Sequence, residues 1–129
     1  MTIRLMVVDD TEHVRKMLVD MLGLHGFEVA ADAGDGPEAL RTVDDADPDV
    51  VIVDYRMSDM DGIEVTRRIR ERRPDQHVVL YSAFIDDAVE VEALGAGVAV
   101  CVPKREGVEN LAREITAVAM DLGGNGPRR

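Results

Sequence analysis

The sequence lacks the features that would place the chain in an oxidising compartment or in a membrane. Its 129 residues include one cysteine, Cys101, so no internal disulfide can form, and a reducing cytoplasm is the simplest setting. No apolar run approaches the ~20 residues needed to cross a bilayer. The short apolar stretch after Arg4 runs directly into Asp9 and Asp10, unlike a signal peptide. We therefore expect a cytoplasmic protein without a membrane-spanning segment.

Basic residues are scarce relative to acidic ones. Against 15 lysines and arginines stand 26 aspartates and glutamates, which gives a formal net charge of −11. A nucleic-acid surface needs a basic patch or stripe, so this balance argues against direct DNA or RNA binding. It also disfavours anionic membranes, whereas an acidic metal-binding pocket would contribute to it. With 46% apolar and 32% charged residues, the composition is otherwise that of one globular domain.

Five short apolar runs alternate with five stretches of helical periodicity. The runs predict strands at residues 3–8, 27–31, 50–53, 78–81 and 99–102. The first helix has an apolar face from Val14 to Leu22, with Thr11 as its expected N-cap and Gly23 near its end. The other helices are predicted at residues 36–43, 62–72, 86–94 (weakly amphipathic) and 108–122.

This alternation predicts an α/β fold with a doubly wound parallel sheet. Five βα units with right-handed crossovers give the strand order 2-1-3-4-5, the flavodoxin-like arrangement. We expect the domain to occupy residues 1–122. The glycine-rich residues 123–129 are expected to be a flexible tail or the start of a linker.

Carboxylates follow two of the predicted strands. Asp9 and Asp10 end the first strand, and Asp54 ends the third. In a doubly wound sheet, ligands bind beyond the carboxyl ends of the strands where the strand order reverses, which is here between strands one and three. Three clustered carboxylates repel one another unless a cation lies among them. Because the motif holds no histidine or cysteine, the all-oxygen set suits a hard ion such as Mg²⁺.

Ser82 and Lys104 join this set from the same edge of the sheet. Ser82 ends the fourth strand and Lys104 follows the fifth. A hydroxyl, an ammonium and a metal ion around a carboxylate would neutralise the charge that spreads over a phosphoryl group during its transfer. The pattern therefore predicts that Asp54 is a nucleophile that forms an aspartyl-phosphate.

The chain resembles the receiver domains of two-component response regulators from Ile3 to about Leu122. The stretches that carry the resemblance are "VVDD", "VIVDYRMSDMDG", "VVLYSA" and "ALGAGVAVCVPK". Each is moderately specific, but together, in order and at the ends of the right strands, they form a strong signal. The resemblance implies that Asp54 is the phosphoacceptor, that Ser82 hydrogen-bonds the phosphoryl group and that Lys104 pairs with it.

The resemblance also implies a metal site and partners. Asp10 would bind Mg²⁺ directly, Asp9 mostly through a water, and Asp54 and the backbone carbonyl of Arg56 would complete the protein ligands, with Mn²⁺ able to substitute. The phosphoryl group would come from a sensor histidine kinase or a histidine phosphotransfer protein. A downstream protein, or an effector domain absent from this chain, would bind the face of helix four, strand five and helix five. Such a domain assists its own phosphorylation and dephosphorylation but is not a turnover enzyme.

Three positions depart from the family pattern. Ser58 stands where the loop after the phosphoacceptor usually has proline. Arg105 follows Lys104, so a cis Lys–Pro bond, common in the family, cannot form. Cys101, expected to be a small buried hydrophobe, occupies the strand-five position where receivers usually carry an aromatic residue that changes rotamer on activation. The predicted catalytic set is therefore complete, and the departures concern the output.

Other functions remain open alternatives. The main one is a pseudo-receiver, which keeps the fold and signals through protein contacts without phosphorylation. A haloacid-dehalogenase-type phosphatase would need a second aspartate two residues after the nucleophile, where Arg56 stands. A flavodoxin would need a Ser/Thr/Gly-rich phosphate loop after strand one, and none follows it. Retention of the carboxylates, Ser82 and Lys104 favours the phosphorylation switch.

Overall fold

The computed structural model describes residues 2–120, which form one parallel sheet of five strands with helices on both faces. The strands are β1 (Arg4–Val8), β2 (Glu28–Ala33), β3 (Val50–Val53), β4 (His77–Ser82) and β5 (Val100–Pro103). The helices are α1 (Glu12–Leu24), α2 (Gly36–Ala46), α3 (Gly62–Arg72), α4 (Asp87–Ala96) and α5 (Gly107–Ala119). A single 3-10 turn, Lys104–Glu106, connects β5 to α5.

The strand order is β2-β1-β3-β4-β5, and every pairing is parallel. This confirms the predicted doubly wound, flavodoxin-like architecture. Strand β3 lies at the centre, and all four of its residues are buried. Val51 and Val53 pack in one helical layer, and Val50 and Ile52 pack in the other. A strand covered on both faces has to be apolar at every position, which explains its β-branched run.

Two apolar layers hold the helices on the sheet. In the first, Ala39 and Val43 of α2, Ile63 and Ile69 of α3 and Ala93 of α4 pack against the sheet. In the second, Leu18 and Leu22 of α1 and Leu111 and Ile115 of α5 pack on the opposite face. The helical periodicity seen in the sequence therefore corresponds to burial on one stripe of each helix.

Most predicted boundaries differ from the observed ones by a few residues, whereas β3 and α3 agree at both ends. Strand β2 continues to Ala33 because Asp32 and Ala33 pair with Val7 and Val8 of β1. Helix α2 continues three residues beyond its predicted end, to Ala46, and stops where Asp47 takes a left-handed conformation (φ 44°). The last helix ends at Ala119, with Met120 as its C-cap, and so stops before its predicted end at residue 122. The predicted tail at 123–129 lies outside the described residues.

Candidate functional site

The carboxylates of Asp9, Asp10 and Asp54 lie together at the carboxyl end of the sheet. Each offers an oxygen atom, and these atoms all lie within 4.8 Å of one another. Asp9 and Asp54 directly follow the adjacent strands β1 and β3, and their amides extend the strand hydrogen bonding by one residue. The Asp9 amide donates to the carbonyl of Ala33 (3.1 Å), and the Asp54 amide donates to that of Val8 (3.0 Å). The sheet itself therefore positions the cluster at the predicted switch point.

Asp9 is a buried carboxylate, with only 1% of its surface exposed, and it has two partners. Its Oδ1 accepts a hydrogen bond from the Thr11 amide (3.0 Å), and its Oδ2 accepts one from Lys104 Nζ (3.0 Å). A buried carboxylate requires such pairing, because its charge is otherwise poorly solvated. Thr11 does occupy the predicted N-cap position of α1, but its side chain makes no capping hydrogen bond. The local bond at this turn is instead made by the Asp9 side chain.

Asp54 lies between Lys104 and the backbone of its own loop. Lys104 Nζ is 3.5 Å from Asp54 Oδ2, and the Tyr55 amide donates to Oδ1 (2.8 Å). Burial raises the pKa of Asp54 above its usual value, and nearby Asp9 adds to this, while Lys104, a hydrogen bond from Ser82 and the Tyr55 amide lower it. Ionised Asp54 therefore destabilises the folded state at neutral pH, and this cost falls as the pH drops through the raised pKa.

Lys104 connects two of the three carboxylates. Burial lowers its pKa, but the hydrogen bond to Asp9 and the charges of Asp54 and Asp9 outweigh burial, so the net pKa is raised and the ammonium stays charged. Strand pairing places it, because Pro103 at the end of β5 pairs with Ser82 at the end of β4. Ser82 is itself buried. The structure thus brings together the predicted set of Asp9, Asp10, Asp54, Ser82 and Lys104, whose chemical roles remain predictions.

The loop after β3 contacts the loop after β4, and the sequence alone does not predict this contact. The guanidinium carbon of Arg56 lies 5.6 Å from the centroid of the Phe84 ring, within the range of a cation–π interaction. Arg56 follows β3 and Phe84 follows β4, and both are exposed. The hydroxyl of Ser58, in the same loop as Arg56, lies 3.4 Å from Asp10 Oδ2. The loop after Asp54 therefore contacts both another loop and the acidic cluster.

Gly62 packs against the backbone of Asp54, a close approach that sequence reasoning missed. A Cβ atom at this position would overlap the carbonyl oxygen of Asp54 and lie 2.9 Å from its carbonyl carbon. The Gly62 amide donates to the carbonyl of Tyr55 (2.8 Å), which returns the loop to the first turn of α3. The signal available in the sequence was the dipeptide "DG", in which Asp61 caps α3 by accepting from the Glu64 amide (2.9 Å).

Cys101 was predicted to be a small buried hydrophobe, but it is only half-buried, against the layer that includes α4. Burial raises the pKa of its thiol to about 11, and the charge of Glu90 acts in the same direction. The thiol is therefore protonated at neutral pH and has little nucleophilic character.

The described residues contain no cis peptide bond, so Lys104 follows Pro103 through a trans peptide bond. Within residues 2–120, no helix is long and apolar enough to cross a membrane.

Comparison with known proteins gives one consistent family. The family model described as the response regulator receiver domain matches residues 5–116. The regulatory protein AtoC of Escherichia coli is 39% identical over 94 residues, which cover 73% of this chain and 20% of that protein. The chemotaxis protein CheY of Thermotoga maritima is 35% identical over 94 residues, covering 73% of this chain and 78% of CheY. The chain therefore spans about a fifth of the length of one relative and most of the length of another.

Solved structures agree with these sequence matches. The signal receiver domain of the putative response regulator NarL from Mycobacterium tuberculosis superposes with a TM-score of 0.86 at 31% identity. The superposition covers 92% of this chain and 97% of that domain. The structural similarity thus extends over most of this chain and nearly all of that domain.

Proposed function

Because the chain belongs to the response regulator receiver domain family, we propose that it is a two-component phosphorylation switch that accepts a phosphoryl group on Asp54. The observation that carries the proposal is the convergence of three carboxylate oxygens within 4.8 Å, with Lys104 Nζ between Asp9 and Asp54. A cytoplasmic location and a histidine kinase or histidine phosphotransfer protein as donor belong to the same proposal. The receiver domain is taken as residues 1–122, within which the family match falls.

The donor atoms of the pocket fit a hard divalent cation. They are carboxylate oxygens, which Mg²⁺ and Mn²⁺ prefer over the nitrogen and sulfur ligands typical of Zn²⁺. Asp9, Asp10 and Asp54 would hold the ion, with the backbone carbonyl of Arg56 as a further ligand. When bound, the ion would supply positive charge beside Asp54 and the oxygens of the incoming phosphoryl group.

The side chains of the chain itself provide the rest of the chemistry. An oxygen of ionised Asp54 attacks phosphorus, and a new P–O bond forms as the bond from phosphorus to the donor's imidazole nitrogen breaks. The imidazole leaves with the electron pair of that bond. The ammonium of Lys104, 3.5 Å from Asp54 Oδ2, neutralises charge that develops on the phosphoryl oxygens, and the Ser82 hydroxyl donates a hydrogen bond to them.

Phosphorylation of Asp54 is tested by incubation with acetyl phosphate and Mg²⁺, followed by intact-mass analysis. We expect the wild-type protein to gain one phosphoryl group and Asp54→Ala to gain none. The control is Asp59→Ala, which removes an exposed carboxylate from the same loop and should be modified like wild type. If the wild type stayed unmodified with acetyl phosphate and with a histidine phosphotransfer donor, the pseudo-receiver function would replace this proposal.

The Arg56–Phe84 contact suggests slow loss of the phosphoryl group. In receivers, the residues two after the phosphoacceptor and two after the Ser/Thr flank the path of the attacking water, and here they are in contact with each other. We expect Phe84→Ala to shorten the lifetime of the phosphorylated protein by roughly 3–10-fold, equivalent to about 1 kcal/mol of barrier. The measurement follows intact mass over time after acetyl phosphate is removed by desalting into Mg²⁺ buffer.

The matched control for this lifetime is Leu24→Ala. Leu24 is also a large exposed hydrophobic residue, but it lies at the end of α1, away from the pocket. Its variant should lose the phosphoryl group at the wild-type rate. An unchanged or longer lifetime in Phe84→Ala would remove the ring from the mechanism.

The surface of α4 supports the proposed output face of α4, β5 and α5. Val91 is 72% exposed and Leu94 is 48% exposed, and they lie on the same side of the helix three residues apart. Ala93 is the one buried residue of α4. The exposed acidic residues Asp86, Asp87, Glu90 and Glu92 surround the apolar pair. This surface suits a downstream protein or effector domain that presents apolar groups flanked by basic ones.

We expect phosphorylation to change the loop after β4 and α4 more than β5. Cys101 is small, so a change of its rotamer cannot reshape the surface of β5 as an aromatic side chain would. Ser82, in contrast, gains a charge-assisted hydrogen bond to the phosphoryl group. Amide hydrogen exchange with and without beryllofluoride, a stable phosphoryl mimic, measures this. Protection changes centred on Cys101 and α5, with none between Phe84 and Leu94, would contradict the expectation.

A further inference from the structure

Arg15 of α1 lies at the edge of the acidic pocket without being part of the proposed phosphorylation set. Its Nε donates to Asp32 Oδ2 (2.7 Å), and its Nη1 donates to the backbone carbonyl of Asp9 (2.9 Å). The side chain is only 16% exposed, whereas Asp32 is 42% exposed. The guanidinium thus bridges the carboxyl end of β2 and the residue that follows β1.

The bond from Arg15 completes a clamp on the backbone of Asp9. The Asp9 amide already donates to the carbonyl of Ala33 (3.1 Å), and Arg15 fixes the carbonyl on its other side. That carbonyl belongs to the planar peptide unit that leads into Asp10. Its direction therefore places the amide nitrogen and Cα of Asp10, and only the φ angle of Asp10 remains to orient the Cα–Cβ bond.

The position of the Asp10 carboxylate depends on the backbone more than that of the Asp9 carboxylate does. Asp9 is buried and held by Thr11 and Lys104, but Asp10 is exposed, and its hydrogen bond from Ser58 is long at 3.4 Å. Long hydrogen bonds at exposed positions constrain a side chain weakly. The backbone on both sides of Asp10 therefore positions its carboxylate: Arg15 holds the peptide unit before it, and the bond from the Thr11 amide to Asp9 holds the unit after it.

We propose that Arg15 is a positioning residue for the divalent metal site, acting through the Asp9–Asp10 peptide unit. The inference rests on the proposed function, since it concerns the ion that the pocket would bind. Gly34, which follows β2, leaves room for the Arg15 guanidinium, because a Cβ atom there would lie only 3.1 Å from Arg15 Nη1. A planar guanidinium can donate to Asp32 and to the Asp9 carbonyl at once, whereas a lysine ammonium is a compact charge without that fork.

The charge of Arg15 and its hydrogen bonds have opposite consequences for metal affinity. As a cation beside an acidic pocket, it repels Mg²⁺, so losing its charge alone would tighten binding. As a positioning residue, it holds Asp10 in place, so losing its hydrogen bonds weakens binding. Positioning interactions around metal ligands typically contribute 10–100-fold in affinity. The sign of the change in affinity therefore separates the two effects.

The test measures the affinity of the intact folded protein for Mn²⁺ by electron paramagnetic resonance, with Mg²⁺ competition. Two variants are compared with wild type: Arg15→Gln, which removes the charge, and Arg15→Lys, which keeps it. We expect both to bind the ions roughly 10-fold more weakly. Unfolding in urea, measured alongside, establishes that each variant is folded under the conditions of the titration.

Arg4 offers a matched control at the opposite end of the same two strands. It likewise pairs with a β2 carboxylate, that of Glu28 (2.8 Å), and donates to a backbone carbonyl, that of Ala46 (2.5 Å). Arg4→Gln should lose stability to a similar degree as Arg15→Gln but should keep wild-type metal affinity. A decrease in affinity shared by both glutamine variants would assign the effect to general destabilisation and overturn the proposal.

The remaining outcomes are equally decisive. Weaker binding by both Arg15 variants, with Arg4→Gln like wild type, supports the positioning role. Unchanged or tighter metal binding by either Arg15 variant overturns the positioning role. Arg15 would then act only through its charge or as a structural ion pair. A wild-type protein that binds neither Mn²⁺ nor Mg²⁺ refutes the metal site itself, which is a failure of the proposed function and is visible before any variant is made.

Discussion

Replacing Asp10 by alanine is expected to weaken Mg²⁺ binding by at least about 100-fold and to abolish Mg²⁺-dependent phosphorylation of Asp54 at millimolar metal. Asp10 contributes one of the three carboxylate oxygens that lie within 4.8 Å of one another. Loss of a charged oxygen ligand removes both a coordination position and part of the attraction for a divalent cation. Calorimetric titration of the metal, together with intact-mass analysis after acetyl phosphate, measures the two effects.

The same substitution should leave the fold intact and make it slightly more stable in the absence of metal. Asp10 is exposed, so its removal leaves no cavity, and it relieves repulsion from the neighbouring carboxylates. Charges about 4 Å apart interact by about 1 kcal/mol even under water-like screening, which sets the scale of the gain. Asp20→Ala, which removes an exposed carboxylate from α1, is the control for net charge. Wild-type Mg²⁺ affinity in Asp10→Ala would show that the ligands are placed wrongly.

Gly62→Ala is expected to produce the largest loss of stability among small substitutions at the site. Its Cβ would overlap the carbonyl oxygen of Asp54, a backbone atom that cannot move without shifting the end of β3. Overpacking a core costs ~1–3 kcal/mol, and the helical preference for alanine over glycine offsets up to ~1 kcal/mol. Because the overlapping atom belongs to the backbone, we place the steric cost at the upper end of this range and expect a net loss of about 2 kcal/mol in the free energy of unfolding, which urea denaturation measures.

Gly23→Ala is the matched control for this substitution. Gly23 also lies in a helix, near the end of α1, but a Cβ there would meet no atom within 4 Å. Its variant should be more stable than wild type by ~0.5–1 kcal/mol, since alanine is the better helix former. Equal stability changes in the two variants would show that the loop after Asp54 accommodates the extra methyl group. If the loss occurs as expected, phosphorylation should also slow, because the displaced atoms belong to the phosphoacceptor itself.

Much of the fold follows from local patterns in the sequence. The run Val50–Val53 is apolar at every position, and this predicts a strand covered on both faces, as the structure confirms. Helix α3 begins and ends at its predicted residues because Asp61 provides a side-chain cap and Pro74 follows its end. Such signals act within a few residues of the element that they define, so they can be recognised without knowledge of the rest of the chain.

Features that the sequence did not reveal at β2 and at the start of α1 depend on distant partners and on burial. Strand β2 extends to Ala33 because β1 provides pairing partners for Asp32 and Ala33, and polar Asp32 gave no sign of this. Thr11 is the N-cap residue of α1 as predicted, but its side chain makes no capping bond; its amide donates to the buried Asp9, which needs donors in the interior. Pairing and burial both arise from the assembled fold, and local propensity does not report them.

In the candidate site, too, some features follow from local sequence and others depend on the assembled fold. Which groups stand at the strand ends follows from the sequence, because the order of apolar runs predicts the fold, and a parallel sheet directs all its carboxyl ends to one edge. How those groups pair is visible only in the folded molecule: Lys104 with Asp9 at 3.0 Å and Asp54 at 3.5 Å, Arg56 with Phe84, and Arg15 with the Asp9 carbonyl. These contacts join residues on different loops, and their geometry depends on how the helices pack on the sheet, which residue type and spacing do not specify.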